Sequence, residues 1–408
     1  MSFDHPIRII GAGVSGLVAA IQLQKAGVEV VVHEKAKHIG GRLSTTLFNE
    51  LPFDHGFQVL LTEYPLAKKY LDYDALALKR FNPGAAVFRN GKKHFLGDPR
   101  RDIHLVWSSL VYPWAQLSDK VKLAKLSAKL KRTSLDTIFS RNEQTTIEYI
   151  QEIGFSEKIT DSFFRPFFGG IFLESKLETS SRMFEFVLKM FSSGDAAVPR
   201  EGIQAIAKQL GDQLKPGTIR YEETMVESDG QSITLASGET LPASAVLHTT
   251  AKENSAGIEW NRCLNIYFEC QKGSRIQAPF IGLIACPAAH VSNFHYLTDL
   301  FQGSPEEKAI LSVTLLLGEE AEEAVWIERA REDLKIHAGI EGLKFMKSYT
   351  ISRALPVLQS VKYEPEEQEI RGESGEYFAG DYLAAPSLNA AMRSGEKAAE
   401  CILSDLRN

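Results

Sequence analysis

The sequence predicts an α/β fold in which two domains interleave, and three observations carry that expectation. A strand, a glycine turn, a helix and a second strand are packed into residues 7–34; a strand, loop and helix close the chain at 377–406; strand-length apolar runs and a charged helix lie between. The 408 residues allow two to three structural units, since compact domains run to roughly 100–200 residues. With 44% hydrophobic and 24% charged residues, disordered, collagen-like and disulfide-scaffold classes are excluded. The 46 Lys plus Arg against 52 Asp plus Glu leave −6, the wrong sign for a phosphate-seeking surface, so no nucleic-acid partner is expected.

The first unit opens with the apolar run Ile7 to Ile10, followed at once by Gly11-Ala-Gly-Val-Ser-Gly16, a G-x-G-x-x-G turn. Leu17, Val18, Ala20, Ile21 and Leu23 then recur at helical spacing until Gly27, a natural stop. A second strand, 28–33, ends in Glu34. These parts predict a Rossmann-like dinucleotide-binding domain. Gly11 permits the tight turn, Gly13 lets the backbone approach a pyrophosphate at the helix N-terminus beside Val14 and Ser15, and Gly16 allows helix and strand to pack closely. Glu34 stands 34 − 11 = 23 residues beyond Gly11, where a carboxylate accepts hydrogen bonds from ribose hydroxyls and repels a 2′-phosphate.

That motif serves NAD and FAD alike, and the next residues narrow the choice. In the stretch from Lys35 to Leu43, Gly40 and Gly41 allow a second loop to approach the pyrophosphate, and Arg42 supplies a charge-assisted contact. Together, Gly11-Ala-Gly-Val-Ser-Gly16, Glu34 and Gly40-Gly-Arg42 resemble the opening of the flavin amine oxidase superfamily, which includes monoamine oxidases, protoporphyrinogen oxidases and phytoene desaturases. The resemblance implies FAD.

At the far end, Tyr377-Phe-Ala-Gly-Asp381 and the helix that follows match the same family. The resemblance places Gly380 and Asp381 at a ribityl hydroxyl, and the helix N-terminus at Leu388, Asn389 and Ala391 near the pole of the flavin that becomes negative on reduction. The family's common Glu-Gly is Asn389-Ala390 here. Phe53-Asp-His-Gly-Phe-Gln-Val-Leu60 resembles the segment that passes beneath the isoalloxazine ring, which makes Gly56, Phe57 and Gln58 candidates. A hairpin over 218–226 and 232–241 is expected after a helix around Ile206 to Leu210. In the family that is resembled, a hydrophobic residue on that strand touches the adenine, which the resemblance makes Met225 or Val226.

Because these motifs lie far apart, the FAD-binding domain is expected from 1–65, 195–260 and 350–408. An α+β substrate domain on a mixed sheet is then expected from 66–194 and 261–349, with strands at 263–270 and 309–317 and a helix over 319–337. The segments 161–172 and 180–186, dense in phenylalanine, resemble the phytoene desaturase and protoporphyrinogen oxidase branch and suit an apolar cavity.

The expected function is therefore that of an FAD-dependent oxidoreductase moving a hydride from an apolar small molecule to flavin N5. Flavin chemistry needs little acid or base help, and no catalytic side chain or metal site is assigned. Two further readings stay open: an amine oxidase, and a non-redox flavin-dependent isomerase or non-catalytic flavin-binding protein. Amine oxidases of the family place a lysine before a substrate-domain strand, where this chain has Asn261-Arg262. No cysteine falls in 384–391 to link a flavin, so non-covalent FAD is expected.

The N-terminus lacks a basic leader, no run of roughly 18 apolar residues occurs, and the four cysteines lack C-x-x-C spacing. A reduced, cytoplasmic protein is expected. The basic amphipathic helix at 118–133, with Trp107, Tyr112 and Trp114 before it, adds the expectation of peripheral membrane contact through 105–132.

Overall fold

The computed structural model describes residues 4–97, 112–251, 258–271, 276, 279–301, 308–318, 321–373 and 375–407. The strand Ile7–Ile10 is buried along its whole length, as a strand covered on both faces must be. It is the centre of a five-stranded parallel sheet ordered Ile219–Tyr221, Val30–Glu34, Ile7–Ile10, Ala245–His248, Glu376–Phe378. Three distant stretches of chain thus build one sheet.

The helices Val14–Lys25 and Leu388–Asp405 pack together on one face. Their backbones can approach because the contact is made by small residues. A Cβ on Gly395 would stand 2.2 Å from the carbonyl oxygen of Ser15. The other face is closed by the antiparallel meander Met225–Ser228, Ser232–Leu235 and Thr240–Pro242, whose Ile233 and Leu235 bury Ile10 and Val246.

The expected hairpin is divided. Ile219–Tyr221 joins the parallel sheet beside Val30–Glu34, and Glu222, at φ 59°, turns the chain away before the meander begins at Met225. Apolar patterning alone does not show a single left-handed residue splitting a run.

The second layer is a seven-stranded sheet in the order Lys344–Pro356, Trp260–Gln271, Lys308–Leu316, Val291–Tyr296, Ile281–Ile284, Gly84–Arg89, Lys92–Gly97. Among the described residues only the pair Ile281–Ile284 with Gly84–Arg89 is parallel in it, so the sheet is mixed. The strand Lys344–Pro356 pairs with Trp260–Gln271 from end to end, so the expected boundary at 350 falls inside one strand. Within the expected helix over 319–337, residues 319–320 lie outside the described residues. The helix itself runs Glu323–Asp333 and widens into a π-turn, Leu334–Ala338.

Of the helices over 117–193, the aromatic helix Arg165–Phe172 packs against the strands Val291–Tyr296 and Ile281–Ile284, and the helix Ser181–Ser193 packs among the other helices. The basic helix Leu117–Arg132 turns Leu126 and Leu130 to the core. Tyr112 is buried, Trp114 packs against the core, and residues 105–111, with Trp107, lie outside the described residues. Among the described residues no helix is long and apolar enough to cross a membrane.

Candidate cofactor and substrate site

The carboxyl ends of the parallel strands converge on one crevice, where open α/β sheets bind ligands. The turn after Ile7–Ile10 is tight: Gly11 has φ 104°, its N–H donates to the His33 carbonyl at 2.8 Å, and a Cβ on Gly16 would lie 2.2 Å from the Gly11 carbonyl oxygen. Gly13 differs. A Cβ there would meet nothing within 4 Å, so its backbone borders open space.

The helix Val14–Lys25 starts at Gly13 with no side-chain cap and no acidic residue in its first turn. Its Val14 and Ser15 are buried, while the N–H groups of the first turn remain available to an anion. The second glycine loop runs against the first. Gly40 bridges Gly13, its N–H donates to the Ala12 carbonyl at 2.9 Å, and Gly41 adopts φ 58°. Leu43 is buried behind this loop, and Lys35 is exposed at its rim.

Glu34, 7% exposed, ends the second strand with Oε2 accepting from the Ala12 N–H at 2.8 Å and Oε1 from the Ala36 N–H at 2.9 Å. Both oxygens are therefore fixed at the loop and keep lone pairs for hydroxyl donors. This cradle fits an adenosine diphosphate: open space beside Gly13, uncapped N–H groups, a second glycine loop and an oriented carboxylate.

Arg42 and Asp381 meet across 339 residues of sequence. The guanidinium donates Nη1 to Oδ2 at 2.8 Å and Nη2 to Oδ1 at 2.5 Å, and Nη1 also reaches the Ala354 carbonyl at 3.1 Å. Burial opposes the charge on Arg42, but the charge and hydrogen bonds of Asp381 outweigh it and hold the guanidinium above its usual pKa. Arg42 also lies over the Trp260 ring at 5.5 Å.

Gln58 Nε2 donates to the Arg42 carbonyl at 2.8 Å, and Gly56, at φ 99°, passes against Ile351 of the seven-stranded sheet. Phe57 leans on His295 with ring centroids 4.7 Å apart. The segment 56–58 is thus wedged between the glycine loops and the second sheet.

The C-terminal helix starts at Ser387, whose hydroxyl accepts from the Ala390 N–H. Leu388 and Ala391 are half-buried there. Asn389 is buried, and its Oδ1 accepts from the Leu66 N–H at 3.1 Å, which ties the C-terminal helix to the start of the helix Pro65–Tyr70. The Gly380 N–H is taken by Ser394 Oγ. Met225 packs against the meander's apolar cluster, which includes Ile10, and Val226 is exposed at a bulge; just before them the Glu223 N–H donates to the Glu34 carbonyl at 3.0 Å.

Sequence reasoning passed over a narrow cavity of about 10 Å³, room for one water, beside Gly56, Phe57 and Gln58. Asp54, Tyr267, His295 and Ser312 also line it. Asp54 accepts from Thr45 Oγ1 at 2.6 Å and the Ile203 N–H at 2.9 Å. Burial raises its pKa to about 7 against those hydrogen bonds. Burial lowers His295 to about 3. The alternation in Val291-Ser-Asn-Phe-His-Tyr296 was the available signal, since it sets Asn293 and His295 on the face opposite Phe294.

A family model described as flavin containing amine oxidoreductase matches residues 14–278. Protoporphyrinogen oxidase 2, chloroplastic/mitochondrial, of Arabidopsis thaliana is 29% identical over 168 residues, an alignment spanning 40% of this chain and 32% of that protein. Among solved structures, a protein from Exiguobacterium sp. 255-15 assigned as a protoporphyrinogen oxidase superposes with a TM-score of 0.73 at 16% identity, over 99% of this chain and 100% of the other. Cyclohexylamine oxidase from Brevibacterium oxydans IH-35A gives 0.68 at 15% identity, with 100% of both chains covered. These two share its fold.

Proposed function

The chain belongs to the flavin containing amine oxidoreductase family, and from that premise we propose that it is an FAD-dependent oxidoreductase, with FAD held non-covalently, that takes a hydride from an apolar small molecule. One observation carries this reading: the two glycine loops, Glu34 and the Arg42–Asp381 pair converge at the carboxyl ends of the parallel strands. A flavin held there would supply the hydride acceptor by its own chemistry.

The protein's part is to bind, orient and exclude water. The first-turn N–H groups at Val14 to Gly16 and the Gly40–Gly41 loop would hold the pyrophosphate. Glu34 would accept the adenosine ribose hydroxyls, and Arg42 with Asp381 would meet the polar chain that leads to the ring. Gly56 to Gln58 would lie along the ring. The aromatic cluster Phe163, Phe164, Phe167, Phe168, Phe184 and Phe191, its neighbouring ring centroids 4.5–6.2 Å apart, would supply apolar surroundings for such a substrate.

The relative's name, protoporphyrinogen oxidase, favours the apolar class of substrate. Anaerobic titration tests it. The yellow protein is expected to bleach with a porphyrinogen or an apolar polyene and to regain its colour with an electron acceptor. Bleaching by amines alone would sink the apolar reading, and product formed without electron transfer would favour an isomerase.

A further inference from the structure

In the helix Leu117–Arg132, Lys120, Lys122, Lys125, Lys129, Lys131 and Arg132 stand against a single acid, Asp119, a net of 6 − 1 = +5. The whole chain carries −6, so the remaining residues sum to −6 − 5 = −11. Positive charge is segregated onto one short element.

The inward face of that helix is accounted for. Leu126 and Leu130 are buried, and Leu123 packs against the core they join. The Asp119 carboxylate, 1% exposed, accepts from the Gln116 N–H at 2.9 Å and from the N–H and hydroxyl of Ser156 at 2.9 and 2.6 Å. At the far end Lys189 Nζ donates to the Leu130 and Lys131 carbonyls, both at 2.9 Å. Contacts within the chain thus fix both ends of the helix and leave its outer face pre-organised.

That outer face departs from the usual pattern, in which a surface helix turns polar residues to water. Leu117, Val121, Ala124 and Ala128 follow at helical spacing and form one stripe. All four are exposed, Leu117 by 70% and Val121 by 46%. Lys125 and Lys129 border the stripe on one side and Lys131 on the other, with Arg132 at its C-terminal end. Among the described residues none of these four cations forms a salt bridge, whereas Arg331, Lys362 and Arg371 are each paired with a glutamate.

We propose that this face of Leu117–Arg132 docks on an anionic lipid bilayer. Leu117 and Val121 enter the boundary between headgroups and acyl chains, while Lys125, Lys129, Lys131 and Arg132 reach lipid phosphates on either side. A nucleic-acid backbone would answer the cations but leave the apolar stripe wet. Of the aromatic residues just before the helix, Tyr112 is buried and Trp114 packs inward, so the contact begins at Leu117. Docking of this kind requires neither flavin nor substrate.

The test pellets the full-length, flavin-loaded protein with vesicles of phosphatidylcholine alone and of equimolar phosphatidylcholine and phosphatidylglycerol. Each basic residue at such a surface adds roughly fivefold, so at about 0.1 M salt the anionic vesicles are expected to bind roughly a hundredfold or more tightly than the neutral ones. Most of that preference should disappear at about 1 M salt. K125Q/K129Q should weaken anionic binding roughly tenfold, and L117S/V121S at least roughly fivefold. All four positions are exposed, so Tm and the flavin band should stay at their wild-type values. Weakened binding in both variants supports the proposal. Equal pelleting with the two lipids, no pelleting with the anionic vesicles, as for a surface made for an acidic protein, or wild-type binding by either folded variant overturns it. The wild-type lipid preference is read without any variant, so a misfolded one leaves the proposal testable. Pelleted material is measured as total protein; a colourless preparation would sink the flavin reading and leave this result standing.

Discussion

Arg42 and Asp381 show how one residue pair can have unequal halves. Asp381 is buried and, among the described residues, its carboxylate bonds only to Arg42, whereas the Arg42 side chain is 40% exposed to water. R42A strands a buried charge and should cost about 3–5 kcal/mol, while D381A leaves a hydrated guanidinium and should cost about 1–2 kcal/mol. Urea unfolding of both variants checks the order, and equal or reversed costs contradict it. Asp54 adds a pH signature. Its folded pKa, about 7, exceeds the ordinary 3.8, so its contribution to stability is full below about pH 4 and is lost as pH rises through about 7. D54N keeps an oxygen for Thr45 and Ile203 but does not titrate. Its fall in Tm between about pH 5 and pH 8 should be smaller than that of the wild type; matching curves would show that Asp54 is an ordinary carboxyl. Gly11, Gly13, Gly16 and Glu34 were legible in the sequence because their spacing encodes backbone geometry. Asp54 and His295 were not, because burial by distant segments gives them their properties.

At the level of elements, the glycines separate two roles. Gly13 has ordinary backbone angles, φ −75°, and open space around it, so G13A should leave stability within about 0.5 kcal/mol of the wild type. Its methyl would stand where a pyrophosphate approaches, and flavin affinity should fall at least roughly tenfold. Gly395 is the reverse. A side chain there meets the Ser15 backbone at 2.2 Å, so G395V should force the helices Val14–Lys25 and Leu388–Asp405 apart and cost about 3 kcal/mol or more. Thermal unfolding with flavin titration distinguishes the pair; loss of flavin in neither variant would contradict the site. The first strand, its helix and the C-terminal helix were readable from periodicity and stops. The split at Glu222 was not, because apolar spacing does not register a left-handed residue, and the full reach of Lys344–Pro356 depends on pairing with a strand some eighty residues earlier.

On the scale of the molecule, motifs at 11–16, 40–42 and 380–381 pointed to a domain threaded from separate stretches, and the parallel sheet is built from strands at 7–34, 219–248 and 376–378. The seven-stranded order was beyond sequence reasoning, since antiparallel register follows long-range packing more than local pattern. That order brings His295 and Ser312 of the second layer to the cavity beside the loop 56–58. The central claim is a non-covalent FAD at the paired glycine loops. It is tested most directly by the visible absorption spectrum of the purified protein before and after acid precipitation, with the released chromophore identified. The account predicts flavin bands in the native protein and one equivalent of free FAD in the acid supernatant. A protein without those bands, or flavin that stays with the precipitate, would contradict it.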